Sequence, residues 1–87
     1  MSTVYVPTAL LALTGNTGSL EASGGNVGDL IDTIDARFPG FRAALVRDGA
    51  LAPHLAVSVD GVISPDGLAE PVEEESEIHF VPALGGG

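Results

Sequence analysis

Ser76-Glu77-Ile78-His79-Phe80-Val81-Pro82-Ala83-Leu84-Gly85-Gly86-Gly87 sets an alternating strand, a proline-stiffened exit and a run of glycines in direct succession. Ile78 and Phe80 fall on one face of the strand and His79 and Val81 on the other, the period of two expected for a sheet with one buried face. Glycine has no Cβ, accepts either sign of φ and threads channels too narrow for other residues. The carboxylate of Gly87 is therefore the expected reactive group, offered by the sheet to another protein's active site. Ordering each glycine costs roughly 1–2 kcal/mol. A folded body over residues 1–82 is thus expected to supply most of the contact surface, with 83–87 as a flexible tail.

Upstream, Leu55, Val57 and Val59 alternate with Ala56, Ser58 and Asp60, and Asp60-Gly61 reads as a two-residue turn into Val62-Ile63. Residues 64–76, with Pro65, Asp66-Gly67, Pro71 and Glu73-Glu74-Glu75, read as a loop with room for one helical turn. Asn26 is an N-cap and Asp29 stands at the capping-box position, ahead of apolar residues at Val27, Leu30, Ile31, Ile34 and Phe38. That spacing predicts one amphipathic helix, ended by Pro39-Gly40. Phe41 to Arg47 reads as a second short helix, with Phe41, Ala44 and Leu45 inward and Asp48-Gly49 as its stop. At the start of the chain, Thr3 to Val6 alternates as a strand closed by Pro7, Thr8 to Leu13 is a turn or helical piece, and Ser19 to Ser23 returns as a second strand after Gly15-Asn16-Thr17-Gly18. These elements make one α+β domain, a four- or five-stranded mixed sheet over one main helix.

Composition narrows the chemistry. The 87 residues suit a single small domain burying roughly 60–65% of its unfolded surface. With no cysteine, disulfides, thiolate–metal sites and thiol nucleophiles are excluded. Against 12 acidic residues stand only Arg37, Arg42 and Arg47, all in one short stretch, and there is no lysine. Nucleic acid is disfavoured as a partner, since phosphate contacts need a basic surface. The net charge of −9 suits an electropositive protein partner and equally the solubility of a small domain. Ala9 to Leu13 is apolar but lacks a basic flank and is cut short by Thr14-Gly15-Asn16, so it is neither a signal peptide nor a membrane span. A cytoplasmic protein with no membrane anchor is expected.

No catalytic constellation emerges. His54 and His79 have no carboxylate cluster at metal-ligand spacing and read as ordinary surface or edge-strand histidines. Asp32 and Asp35 share the polar side of the helix and read as a solvated face. Gly24-Gly25-Asn26-Val27-Gly28 sits where a phosphate loop would, yet it lacks both the Lys-Ser/Thr pair and G-x-G-x-x-G, and its helix start is acidic. Nothing in the spacing of Ser58, His79 and the aspartates supports a triad. The reading is a protein that is not an enzyme and binds no metal or cofactor of its own.

Val81-Pro82-Ala83-Leu84-Gly85-Gly86-Gly87 resembles the ending of the ubiquitin-like sulfur carrier proteins, which include the small subunit of molybdopterin synthase, the thiazole-pathway carrier and the carrier of a thiocarboxylate-dependent cysteine pathway. The resemblance is greatest to the last of these. Val6-Pro7-Thr8-Ala9-Leu10, Leu13-Thr14-Gly15, Val27-Gly28-Asp29-Leu30-Ile31, Phe38-Pro39-Gly40-Phe41, Val57-Ser58-Val59-Asp60-Gly61 and Asp66-Gly67-Leu68 fall where that branch has similar residues. Residues 38–53 add a helical segment that shorter thiazole-pathway carriers tend to lack. The departures are Glu75-Ser76-Glu77 in place of Asp-Gly-Asp, Ala52-Pro53-His54 in place of basic residues, and three terminal glycines rather than two.

The resemblance implies a β-grasp fold. It also implies that an adenylyltransferase of the ubiquitin-activating type uses ATP to activate the carboxylate of Gly87, that a sulfur donor converts it to a thiocarboxylate, and that a downstream sulfur-accepting synthase consumes it. Gly85 and Gly86 would thread the enzyme's channel, Leu84 and Ala83 would sit at its mouth, and Val81 and His79 would lie on the docking face. A protein modifier joined through Gly87 to target lysines, and a plain β-grasp interaction domain, remain as alternatives.

Overall fold

Two short alternating runs pair because the residues between them can turn back. In the computed structural model, which describes residues 1–83, β1 (Ser2–Tyr5) runs antiparallel to β2 (Ser19–Ala22), with Val4 opposite Leu20 and Tyr5 opposite Ser19. The intervening Thr8–Thr14 forms a 3-10 helix that ends where Gly15 and Asn16 enter the left-handed region, at φ 62° and 66°. Thr14 is buried there, its hydroxyl donating to the Thr17 carbonyl at 2.9 Å.

The predicted main helix is α1 (Val27–Arg37). Asn26 Oδ1 accepts from the Asp29 N–H at 2.8 Å, and Asp29 Oδ2 accepts from the Gly25 N–H at 3.3 Å, a reciprocal cap displaced by one residue from the usual box. Val27, Leu30, Ile31 and Ile34 form its fully buried stripe. They face Val4, Leu20, Ala22, Val57 and Ile78 of the sheet, and this sandwich is the core. Gly24 is required by close approach, because a Cβ on it would lie 2.7 Å from the Asp29 Cβ. Within the glycine-rich stretch the steric demand falls on Gly24, whereas a Cβ on Gly25 would make only ordinary contact at 3.7 Å.

The second short helix is corrected. It covers only Phe41–Leu45 (α2), and Val46–Arg47 (β3) instead pairs antiparallel with Ala50–Leu51 (β4). Asp48 and Gly49 both have positive φ, 51° and 78°, so the Asp-Gly pair makes a tight hairpin turn and not merely a helix stop. Phe41 and Leu45 are buried as expected, but Ala44 is exposed, because four-residue spacing puts 41 and 45 on the one inward stripe. Asp35 and Asp32 hold this segment. Asp35 Oδ1 accepts from the N–H groups of Gly40 (3.2 Å) and Arg42 (2.9 Å), and Asp32 pairs with the Arg42 guanidinium at 2.7 Å.

Beyond it, β5 (Leu55–Val59) turns through Asp60 (φ 52°) and Gly61 (φ 85°) into β6 (Val62–Ile63), and a single 3-10 turn at Gly67–Ala69 interrupts the following loop. The last strand is β7 (Glu77–Pro82), one residue longer than expected. It lies in the centre, parallel to β1 and antiparallel to β5, giving the order β2-β1-β7-β5-β6. The sheet is therefore mixed and five-stranded, with α1 on one face.

Its start is pinned by Asp60, whose N–H donates to the Glu77 carbonyl at 2.9 Å while its Oδ1 accepts the Glu77 N–H at 2.8 Å. The Glu75-Ser76-Glu77 departure forms a tight turn with Glu75 at φ 65°, closed by the Ser76 Oγ accepting the Glu73 N–H at 3.0 Å.

Candidate functional site

The site candidates lie where β7 leaves the sheet. Ile78 and Phe80 point into the core, so alternation puts His79 and Val81, both half-buried, on the opposite, outer face. Facing residues in an antiparallel ladder share a side. Ala56 stands opposite Val81 and Ser58 opposite His79, and Ile63 stands opposite Ser58 in turn. Tyr5 joins them from β1, its ring stacked on His79 with centroids 4.2 Å apart and planes 4° from parallel. Tyr5, Ala56, Ile63, His79 and Val81 make a largely apolar outer surface that leads along β7 to its end.

Two hollows flank Val81. One, of about 480 Å³, runs between the end of β1 and the end of β7 and is lined by Tyr5, Pro7, His54, His79, Phe80 and Pro82 among others. The other, of about 270 Å³, lies against Ala56, Ile63, Val81, Pro82 and Ala83. None of the three arginines lines either one.

Ala83 follows the strand and is half-buried, its N–H donating to the His54 carbonyl at 3.0 Å. Ladder bonding thus continues one residue past 82, where the sequence reading places the boundary of the body. Leu84, Gly85, Gly86 and Gly87 lie outside the described residues. Of the expected docking residues, the fold brings His79, Val81 and Ala83 to one end of one strand. Tyr5, Ala56 and Ile63 belong to the same surface and escaped the sequence reading. The alternation of Thr3 and Tyr5 marked Tyr5 as outward, but nothing local said which strand it would lie beside.

Ser58 and His79 are cross-strand neighbours, the one part of a hypothetical triad that folding brings together. No hydrogen bond joins their side chains among the described residues, and the His79 ring is committed to Tyr5. No group of three or more His, Asp or Glu side chains able to hold a metal ion occurs among the described residues. No helix among them is long and apolar enough to cross a membrane. The arrangement offers a surface for docking and a strand end for presentation.

The family model described as the ThiS family matches residues 4–87. The chain belongs to that family. Among curated relatives of this ThiS-family chain, small archaeal modifier protein 3 of Haloferax volcanii is 30% identical over 63 residues, covering 70% of this chain and 68% of that protein. Sulfur carrier protein CysO of Mycobacterium tuberculosis is 28% identical over 90 aligned positions, covering 98% of this chain and 97% of that one.

Among solved structures, a chain of the Amycolatopsis orientalis BexX/CysO complex superposes with a TM-score of 0.88 at 33% identity, each chain covered in full. Mycobacterium tuberculosis CysO superposes at 0.86 with 26% identity over 97% of this chain and 100% of that one. The β-grasp fold and the likeness to ubiquitin-like sulfur carriers of the cysteine-pathway type, both implied by the sequence, are borne out. These relatives are small carriers or modifiers rather than enzymes, and the chain is a ubiquitin-like protein of that carrier and modifier group.

Proposed function

We propose that this ThiS-family chain carries sulfur as a thiocarboxylate on Gly87. The observation that carries the reading is the continuity of the apolar outer face with the strand end: Tyr5, His79 and Val81 lie on the surface that β7 follows directly into Ala83 and the glycines of the sequence. A partner docked on that face receives the tail without a search. An interface of ordinary size, about 800 Å² on each side, offsets the ordering of the glycines.

The chemistry has two steps. ATP, supplied to an activating adenylyltransferase, transfers its adenylyl group to the Gly87 carboxylate and releases pyrophosphate. A sulfur donor then attacks the acyl carbon and displaces AMP, leaving an anionic, soft sulfur nucleophile that a water-excluding partner site protects. A downstream synthase takes the sulfur into a metabolite of the cysteine, molybdopterin or another sulfur-containing class. In this scheme Gly85 and Gly86 occupy the narrow channel, Leu84 and Ala83 its mouth, and His79 and Val81 the docking contact.

The 30% identity to a small archaeal modifier protein favours a second reading, conjugation through Gly87 to a lysine of another protein. Intact-mass measurement after incubation with activating enzyme, ATP and sulfide donor separates the two. Replacement of one oxygen by sulfur supports the carrier, an adduct of chain and target supports the modifier, and an unchanged mass refutes both. Deletion of Gly85, Gly86 and Gly87 together is expected to abolish either product.

A further inference from the structure

We propose that Thr33 and Arg37 of α1 stand in for a missing neighbour strand along β2, and so keep a second copy of this chain from adding to the sheet there. The inference holds whether or not Gly87 carries sulfur.

An end strand offers its outward N–H and C=O groups to any other chain that can pair with them. Among the described residues the sheet ends at β6 and β2. On β6, Val62 stands opposite Val59 and the Ser64 N–H donates to the Val57 carbonyl at 2.9 Å, so 62 and 64 face β5. The outward positions are then Ile63 and Pro65, and proline has no N–H to give. That edge is blunted by its own sequence. β2 is four residues long and holds no proline. Its register fixes which groups face outward: the Val6 N–H donates to the Gly18 carbonyl at 2.9 Å, which makes 18, 20 and 22 the residues bonded to β1. Ser19, Glu21 and, by the same alternation, Ser23 therefore turn their backbone groups away from the sheet.

Side chains of α1 occupy two of these three positions. The Thr33 hydroxyl donates to the Ser23 carbonyl at 3.0 Å, and Arg37 Nη1 donates to the Glu21 carbonyl at 3.2 Å. The spacing explains why one helix can serve both. Four residues of helix rise about 6 Å, and two residues of antiparallel strand advance about 7 Å, so an i, i+4 pair meets successive outward carbonyls as a strand would. The Arg37 guanidinium is further steadied over the Phe38 ring, 5.4 Å from its centroid. A third rung at Ser19 would need a side chain at 41, past the end of α1. A second copy pairing antiparallel about Glu21 needs those same carbonyls in both chains, so each helix must first be displaced. It would also set Glu21 of one copy directly opposite Glu21 of the other, a repulsive like-charge pair. The edge is closed first by the helix and then by the strand's own charge.

The test is self-association, followed by sedimentation equilibrium at high salt, where repulsion between copies is screened. Thr33→Val and Arg37→Ser, which remove the two donors, are combined with Glu21→Thr, which removes the like-charge contact. The controls are Glu21→Thr alone and Glu21→Thr with Arg47→Ser, which matches the charge change at a position away from β2. The chain lacking both donors is expected to associate at least about tenfold more strongly than either control, since pairing no longer has to displace two hydrogen bonds in each copy. Hydrogen exchange at the Ser19, Glu21 and Ser23 amides is expected to slow in the associated form. A folded triple variant that associates no more than the controls, or that associates without protecting these amides, would overturn the proposal. So would pairing of the unaltered chain through residues 19–23. If the triple variant unfolds, Thr33→Val and Arg37→Ser are tested singly in the Glu21→Thr chain, each freeing one carbonyl per copy, and association equal to the control then refutes the guard.

Discussion

Replacing Val81 by arginine tests the docking face most sharply. Val81 lies between the two hollows on the outer side of β7, opposite uncharged Ala56, so the new side chain meets no like charge across the ladder. The free protein is expected to lose about 1 kcal/mol or less, from strand propensity alone. The complex loses more. Burying a whole valine contributes about 1.5–3 kcal/mol, and since Val81 is already half-buried, docking draws on about 1 kcal/mol of that. An unpaired charge forced into an interface adds about 2–5 kcal/mol.

The sum, about 3–6 kcal/mol, corresponds to a rise of about 10²- to 10⁴-fold in the KM for the carrier, at a kcat preserved because the tail is untouched. Pyrophosphate release by the activating enzyme at varied carrier concentration gives both constants, and a thermal melt confirms the fold. Val81→Asp controls for the sign of the partner's field. Both variants lose the apolar contact, but an electropositive partner penalises arginine more than aspartate. An unchanged KM for a folded Val81→Arg, or a loss confined to kcat, would refute the assignment of this face, and a worse result for aspartate would refute the partner's charge.

The two helix aspartates are expected to behave differently in urea unfolding. Asp35→Ala, which strips acceptors from two backbone N–H groups, is expected to cost about 1–2 kcal/mol, and Asp32→Ala, which breaks only an exposed ion pair, about 0–1 kcal/mol. Gly24→Ala places a Cβ 2.7 Å from that of Asp29, so a loss of about 1–3 kcal/mol and a melting temperature lower by several degrees are expected; an unshifted melt would contradict the close approach. Leu30→Ala, in the middle of the buried helix stripe, is expected to cost about 2–5 kcal/mol, measured as a lower urea midpoint at constant slope.

Much of the fold could be read locally. Asn26 caps α1 and the Val27, Leu30, Ile31, Ile34 stripe orients it, because capping and a period of 3.6 depend only on residues within a turn or two. The Asp60-Gly61 hairpin was equally plain, since a positive φ at both central positions selects those residue types. The same chemistry at Asp48-Gly49 is locally just as consistent with a helix stop. Five residues from Phe41 suit a helix turn as well as a strand approach, and the β3–β4 pairing that decides the matter joins residues on both sides of the turn.

Sequence alone determined the strands of the main sheet, where the main helix starts and which residues of β7 face outward, because each follows from the alternation or spacing of near neighbours. Only tertiary structure decided that β7 lies between β1 and β5, that Tyr5 stacks on His79, and that Pro7 and Pro82 line one hollow. The contacts with β1 join residues more than seventy positions apart, and those with β5 join residues 19 to 27 apart. Their register is set by burial of one sheet face against α1, a condition that no local pattern contains.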